Sequence, residues 1–280
     1  MTKKPDLPAA WPNAKPLAIS VNIMLEGWTG DAAPGIGPMG NPLKAGVLDL
    51  QARSWADYGP KEGAWHILDV LNAYEVRAVW YVSGIVAELY PALIRAIAGA
   101  GHAIACHGWA QNILPAYQTA PEEAAGLERC MRVLGAASGQ RPRGWLSPRC
   151  TPSPRTALML LRAGFAWHAD TFNSSLPYAL KTGEGTIIAM PFTTEVNDLP
   201  LYIRYGNEPE VFTRVLRRLV SNWPRIGNRP GCLDITIHAH VFGRPFGIIE
   251  FVDAIEIAQG CDWAWLTDHA ALAGAYLPPK

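Results

Sequence analysis

The chain has 280 residues, with 24 Lys and Arg balanced by 24 Asp and Glu, so it carries no formal net charge at pH 7. It is 49% hydrophobic and 17% charged, the composition of a globular protein long enough to bury a sizeable core. Neutrality removes the electrostatic ground for nucleic acid or an anionic membrane as partner, and no apolar run reaches the ~18–20 residues of a membrane span.

Residues 1–15 read as an N-terminal extension in which prolines precede the apolar run; no small-residue cleavage site follows, so a cytoplasmic protein is expected. Five cysteines without a CxxC pair give neither a disulfide framework nor a thiolate zinc site. "PLAISVNIML" (16–25) predicts a buried strand ending before Glu26-Gly27. Residues 27–60, rich in Gly and Pro, predict a long loop, a candidate lid or interface. "KEGAWHILDVLNAY" (61–74) predicts a helix with Ala64, Trp65, Leu68 and Leu71 on its apolar stripe, followed by strand 76–84 and helix 91–101.

The alternation continues with strand 102–106, helix 121–138 with Pro in its first turn, strand "RGWL", helix "SPRTALMLLRAG" and strand "FAWHAD". Strand 186–192, helix 209–223, strand 232–240, helix "IIEFVDAIEIA", strand "WAWLT" and helix "DHAALAGAY" complete the chain. Strand following helix throughout, with no linker and no repeat, predicts one α/β domain spanning 1–280.

Chemistry in such a fold sits at the C-terminal ends of the strands, where the sequence places Glu26, Ser83, His107, Arg149, Asp170 and His238. Glu26 ends an apolar strand; burial would raise its pKa toward that of a general base. His107 and His238 each close a strand and suit proton transfer near pH 7. His240, two residues past His238, makes "HAH" a metal pair only if a third donor joins it. Arg149 is a candidate donor to a carbonyl oxygen, and Asp170 either orients a histidine or the arginine or caps the following turn. His102 begins its strand and reads as structural; His66, His168 and His269 read as surface or packing residues.

With these residues in place, the chain resembles the polysaccharide deacetylase superfamily over roughly residues 16–270. The resemblance implies a distorted (β/α) barrel of about seven parallel strands. Sugar-deacetylating members carry an Asp-Asp pair after the first strand and His-xxx-His after the third, and the two histidines and second Asp hold a divalent metal. Here "IMLEGW" has Leu25 and Glu26 at the Asp pair, "HGWAQ" keeps His107 but has Gln111 at the second histidine, "RGWLSPR" has Leu146 at the usual arginine, and "TIHAH" keeps His238. These departures resemble the branch of metal-independent allantoinases and cyclic-imide hydrolases. The matching hallmarks are Glu26-Gly27, His107-Gly108-Trp109, Gly144-Trp145 with Arg149 and Pro152, and His238 with Gly243-Arg244-Pro245.

The resemblance implies a hydrolase of a non-peptide C–N bond in a small cyclic amide, imide or ureide, needing no cofactor. Glu26 would be the base, His107 would position the water, Arg149 would polarise the carbonyl and His238 would protonate the leaving nitrogen. Tyr58, Trp109, Asn112, Trp145, Asp170 and Phe242 would bind substrate, the tryptophans and Phe242 walling a flat pocket. Two other readings stay open: a metal-dependent N-deacetylase of an acetylated sugar or other amide, with zinc as the metal, and a non-catalytic small-molecule binding protein on the same scaffold. The expected partner is a small molecule, neither nucleic acid nor membrane, and a homo-oligomer is left open.

Overall fold

The computed structural model describes residues 10–40, 43–44, 46–226 and 230–276. Its elements run β1 (Leu17–Leu25), α1 (Leu50–Tyr58), α2 (Ala64–Ala73), β2 (Val79–Val82), α3 (Gly84–Leu89), α4 (Pro91–Gly99), β3 (Ala103–Cys106), α5 (Ala120–Ser138), β4 (Gly144–Trp145) and α6 (Thr156–Arg162). There follow β5 (Trp167–Thr171), β6 (Tyr178–Thr182), β7 (Gly185–Pro191), β8 (Val196–Asn197), α7 (Val211–Ile226), β9 (Gly231–His238), α8 (Pro245–Gln259), β10 (Ala264–Thr267) and α9 (His269–Tyr276).

All ten strands join one sheet in the order β6-β7-β5-β4-β3-β2-β1-β9-β8, with β10 also paired to β1. β1 lies at the centre because both its edges are used. Met24 and the residues before it pair with β9 on one edge; on the other, Leu17–Ser20 pair with β10 and Asn22–Leu25 with β2. Among the strands of the described residues only the β6–β7 hairpin is antiparallel. The result is a curled, mostly parallel sheet, a half-barrel wrapped by helices. The eight strands read along the sequence become ten through β6 and β8, which are short or half-exposed and so carry no apolar run to announce them.

Side-chain parity explains the layers. On β1, Leu17, Ile19, Val21, Ile23 and Leu25 face the helices, whereas Ala18 and Met24 pack into a smaller cluster inside the curl. On β9, Leu233, Ile235 and Ile237 face the helices, and Cys232 lies inside. The inner file of these two strands also carries Ser20, Asn22, Asp234 and Thr236, all buried. Asp234 accepts from Ser20 Oγ and from His269 Nε2, the latter at 2.7 Å, and Tyr81 OH lies 2.6 Å from His269 Nδ1. His269 is therefore a buried, paired residue that closes the interior, where the sequence suggested surface or packing.

Helix boundaries follow local rules. Thr119 and Glu122 form a capping box that opens α5, and Gly139 closes it in a left-handed conformation. On α2 the buried stripe is Ala64, Ile67, Leu68 and Leu71, while Trp65 is exposed. One residue turns a helix by about 100°, which carries Trp65 off the face shared by 64, 68 and 71. Of the expected 27–60 loop, residues 50–58 are helix α1, whose N-cap is Asp49. The N-terminal extension is anchored in its described part by Trp11, buried and donating from Nε1 to the Gly231 carbonyl at 2.8 Å; residues 1–9 lie outside the described residues.

Candidate active site

The inward file of β1 continues past Leu25 to Glu26, which places a nearly buried carboxylate at the C-terminal rim of the sheet. Three histidines turn their Nε2 atoms toward it. His107, following β3, is 3.4 Å from Oε1; His238, ending β9, is 3.9 Å from Oε1; His240, two residues on, is 3.9 Å from Oε2. Burial opposes charge on Glu26, but the His107 hydrogen bond and the fields of His238 and His240 prevail and lower its pKa to about 2. The net shift runs opposite to the rise expected from burial alone. Glu26 is a firmly ionised anchor.

Each histidine is held differently. His107 Nδ1 lies 2.9 Å from the Leu146 carbonyl, which turns its Nε2 to Glu26 at 3.4 Å. His238 Nδ1–H donates to Asp198 Oδ1 at 2.6 Å, while Asp198 Oδ2 accepts from the backbone N–H of His238 at 2.8 Å and of Phe242 at 3.3 Å. Burial pulls the His238 pKa down, yet Asp198 and then Glu26 outweigh it and the net shift is upward. His240 differs again: burial lowers its pKa to about 4, against the raising field of Glu26, and its Nδ1 has no hydrogen-bond partner. Trp28 and Trp55 stand edge-on to its ring at centroid distances of 5.7 and 4.6 Å.

Two glycines permit this packing. Ala239 N–H bonds to the Met24 carbonyl, and the loop through His240 lies directly against the turn 59–63. A Cβ on Gly63 would fall 2.0 Å from the Ala239 carbonyl oxygen. Gly108, after His107, has φ of 65°, and a Cβ there would lie 2.3 Å from Pro148 Cγ, so only glycine brings the His107 loop onto the 147–150 turn.

Gln111 answers whether the site fits a divalent metal. Its Nε2 donates to Ser83 Oγ at 3.1 Å and to the His107 carbonyl at 3.3 Å, and its Oε1 accepts from Arg149 N–H at 3.1 Å. The amide is a strut joining the ends of β2, β3 and β4, with its oxygen turned to the Arg149 backbone. The imidazoles converge on a carboxylate, and among the described residues no group of three or more His, Cys, Asp or Glu is disposed to hold a metal ion. Engaged with one another in this way, these residues do not form a ready ligand set for a divalent metal.

The remaining expected residues divide. Asp170 is buried with both oxygens on Ser147, accepting from its N–H at 2.6 Å and its hydroxyl at 2.8 Å; it fixes the turn that carries Arg149. Burial leads the Ser147 bonds and raises its pKa to about 6. Arg149 is exposed with φ of 54°, a left-handed backbone, and its guanidinium has no partner among the described residues. Asn112 binds Thr29, accepting from its N–H at 3.1 Å and donating to its Oγ1 at 2.7 Å, and so staples the 27–49 segment to the rim. Tyr58 lies under Arg244, whose guanidinium is 4.0 Å from its ring, outside the carboxylate's immediate circle.

The structure places Trp109, Trp145 and Phe242 away from Glu26. Trp109 packs between Gly84 and Arg129, Trp145 against Phe165 in the outer core, and Phe242 among Tyr202, Phe212 and Phe246. The aromatic walls beside the histidines are Trp28 and Trp55 instead. Asp198, Trp28, Trp55 and Arg204 are the residues sequence reasoning missed. Asp198 reaches His238 only through the β8–β9 pairing, Asn197 against Thr236, and "NDLP" alone reads as a turn. Arg204 ends the turn after Asp198, is exposed, and its field opposes charge on His238.

The chain is matched over residues 55–167 by the family model for polysaccharide deacetylase. It is similar to the peptidoglycan deacetylase of Helicobacter pylori, 27% identical over 242 residues, which are 74% of this chain and 82% of that protein. Among solved structures it resembles a probable polysaccharide deacetylase from Pseudomonas aeruginosa PAO1 (TM-score 0.85, 25% identity, 95% of this chain and 92% of that one). It also resembles PuuE allantoinase (TM-score 0.86, 24% identity, 95% and 92%), a likeness of fold.

Proposed function

We propose that the protein is a hydrolase of a non-peptide C–N bond in a small cyclic amide, imide or ureide, working without a metal. The carrying observation is the Glu26 carboxylate ringed by three imidazoles, with Gln111 spent as a strut where a second metal-binding histidine would stand. Hydrolysis needs a deprotonated water, stabilisation of the developing oxyanion and a proton for the leaving nitrogen. His238, held by Asp198 and raised in pKa, is the proton donor. His107, gripped by Leu146 and paired with Glu26, fixes the carboxylate. Arg149 and Arg204, unpartnered among the described residues, supply positive charge to the oxyanion. An imide suits such a site because its second carbonyl stabilises the departing nitrogen. No helix among the described residues is long and apolar enough to cross a membrane, and a cytoplasmic small-molecule substrate is part of the proposal.

The similarity to a peptidoglycan deacetylase supports a second reading, metal-dependent removal of an N-acetyl group. One experiment separates the two. Protein purified without chelator or nickel resin is assayed for metal content and against hydantoins, imides, allantoin and N-acetylglucosamine oligomers. Ring opening at substoichiometric metal, insensitive to chelator, supports the proposal. Acetate release that tracks one bound metal per chain overturns it.

A further inference from the structure

We infer that His240 is the general base, holding the attacking water jointly with Glu26. The inference rests on the hydrolase reading above. It starts from an asymmetry among the histidines. His107 and His238 each spend Nδ1–H on a fixed acceptor, the Leu146 carbonyl and Asp198. Among the described residues His240 Nδ1 has no partner, and the ring is buried. A buried, unpaired ring nitrogen at the heart of a site calls for a reason.

The groups that face His240 are Glu26, His238 and Arg244, with the Trp28 and Trp55 rings on its flanks and Gly59 against its backbone. The dry tryptophan walls and the two neighbouring cations oppose protonation, and the pKa falls to about 4, so the imidazole is neutral near pH 7. A neutral imidazole has one proton. If it sits on the otherwise unused Nδ1, the Nε2 lone pair points toward Glu26, and no bond joins them because they are 3.9 Å apart. An oxygen about 2.8 Å from both atoms would subtend roughly 90° between them, close to the opening between a water's two O–H bonds. That water donates one hydrogen to His240 Nε2 and the other to Glu26 Oε2, and keeps a lone pair free.

The step balances. The water oxygen forms a bond to the carbonyl carbon, the C=O π pair moves onto oxygen, and one water proton passes to His240 Nε2. On collapse the C–N bond breaks and its electron pair leaves with nitrogen, which takes the proton from His238 Nε2. Glu26, between the two histidines, lets the proton return from His240 to His238. The carboxylate orients the water, and His240, the imidazole left uncharged, accepts the proton.

The test has two arms. His240→Gln and His240→Ala are assayed on the ring substrate that the wild type opens, with circular dichroism confirming the fold. The expected result is a fall in kcat of roughly 10²–10⁴-fold with KM little changed, and partial rescue of His240→Ala by added imidazole. Wild-type kcat in either folded variant, or a loss confined to KM, overturns the inference while leaving the hydrolase reading intact. The second arm is ¹⁵N NMR of the imidazoles in the wild-type protein, which needs no substrate and no variant. His240 neutral at pH 7 with its proton on Nδ1 supports the inference; a proton on Nε2, or an imidazolium, overturns it. A wild type that opens no ring compound sinks the hydrolase reading instead.

Discussion

Asp198→Asn removes one charge from a buried carboxylate at almost constant volume, and the geometry around it sets the size of the loss. The carboxylate accepts three N–H groups: His238 Nδ1 at 2.6 Å, His238 backbone at 2.8 Å and Phe242 backbone at 3.3 Å. An amide keeps one acceptor oxygen and turns its NH₂ against donors. Each buried donor left unmet costs roughly 1–3 kcal/mol, and breaking a buried charged pair about 3–5 kcal/mol. At about 2–4 °C per kcal/mol for a chain near this size, Tm should fall by roughly 6–20 °C. The pH dependence gives the sharper check. Asp198 and Glu26 raise the folded-state pKa of His238 above its ordinary 6.5. A raised pKa contributes stability that is complete below the unfolded value and is lost as pH rises through the folded one. The gap in Tm between wild type and Asp198→Asn should therefore be widest at and below about pH 6 and should narrow toward pH 9. In the same variant kcat should fall roughly 10²–10⁴-fold, because the imidazolium loses its partner. A Tm gap that is flat or widening from pH 6 to 9, with kcat unchanged, would refute the assignment of His238 as proton donor.

Glu26→Gln removes an anion whose pKa is depressed from 4.5 to about 2, so its contribution is present above the unfolded value and lost as pH falls toward 2. The shift corresponds to roughly 3 kcal/mol at pH 6, about halved by pH 3, and urea denaturation at the two pH values checks it. Gln111→Ala deletes three hydrogen bonds and should cost roughly 3 kcal/mol by the same method. Gln111→His should also destabilise without recruiting zinc, since Arg149 N–H loses its acceptor; elemental analysis showing one zinc per chain would contradict the strut role. Gly63→Ala drives a Cβ to 2.0 Å from the Ala239 carbonyl and should cost roughly 1–3 kcal/mol or more; a melt within about 1 °C of wild type would show that this approach is dispensable.

The legible part of the fold was the part written in apolar periodicity. Strand β1, with every residue buried, and helices α4, α5 and α8 announce themselves because their side chains face a core. β8, two residues long, and β6, without a fully buried side chain, do not, because pairing rather than pattern makes them strands. Within the site, Glu26, His107 and His238 were visible as polar residues ending apolar strands. Asp198 was not, because its role depends on a carboxylate brought in by a neighbouring strand. The aromatic residues misled for a related reason. "GWL" sets a tryptophan beside the rim in sequence, but adjacent residues on a strand point to opposite faces. Trp145 accordingly faces the helices while Leu146 lies inside. For His240 the sequence shows only that two histidines spaced by one residue share a side, a metal pair on condition of a third donor; the carboxylate they share becomes apparent when β1 is placed beside β9.

Glutamate rather than aspartate at position 26 is consistent with this geometry. A carboxylate on the rim must reach the point on which Nε2 atoms from β3 and from the loop after β9 converge. The extra methylene extends it by about 1.5 Å beyond the reach of an aspartate. Once there, it changes what the histidines can do. In a metal site they present lone pairs to a cation and the cation does the electrostatic work. Around a carboxylate, His107 and His238 are each held from behind, by Leu146 and by Asp198, while His240 Nδ1 has no partner among the described residues. Positive charge is thus retained at the rim on fixed groups that need little reorganisation when an oxyanion forms. Asp198 braces His238 from behind as Gln111 braces the 147–150 turn, so the donors at the rim are held by fixed neighbours before any substrate arrives.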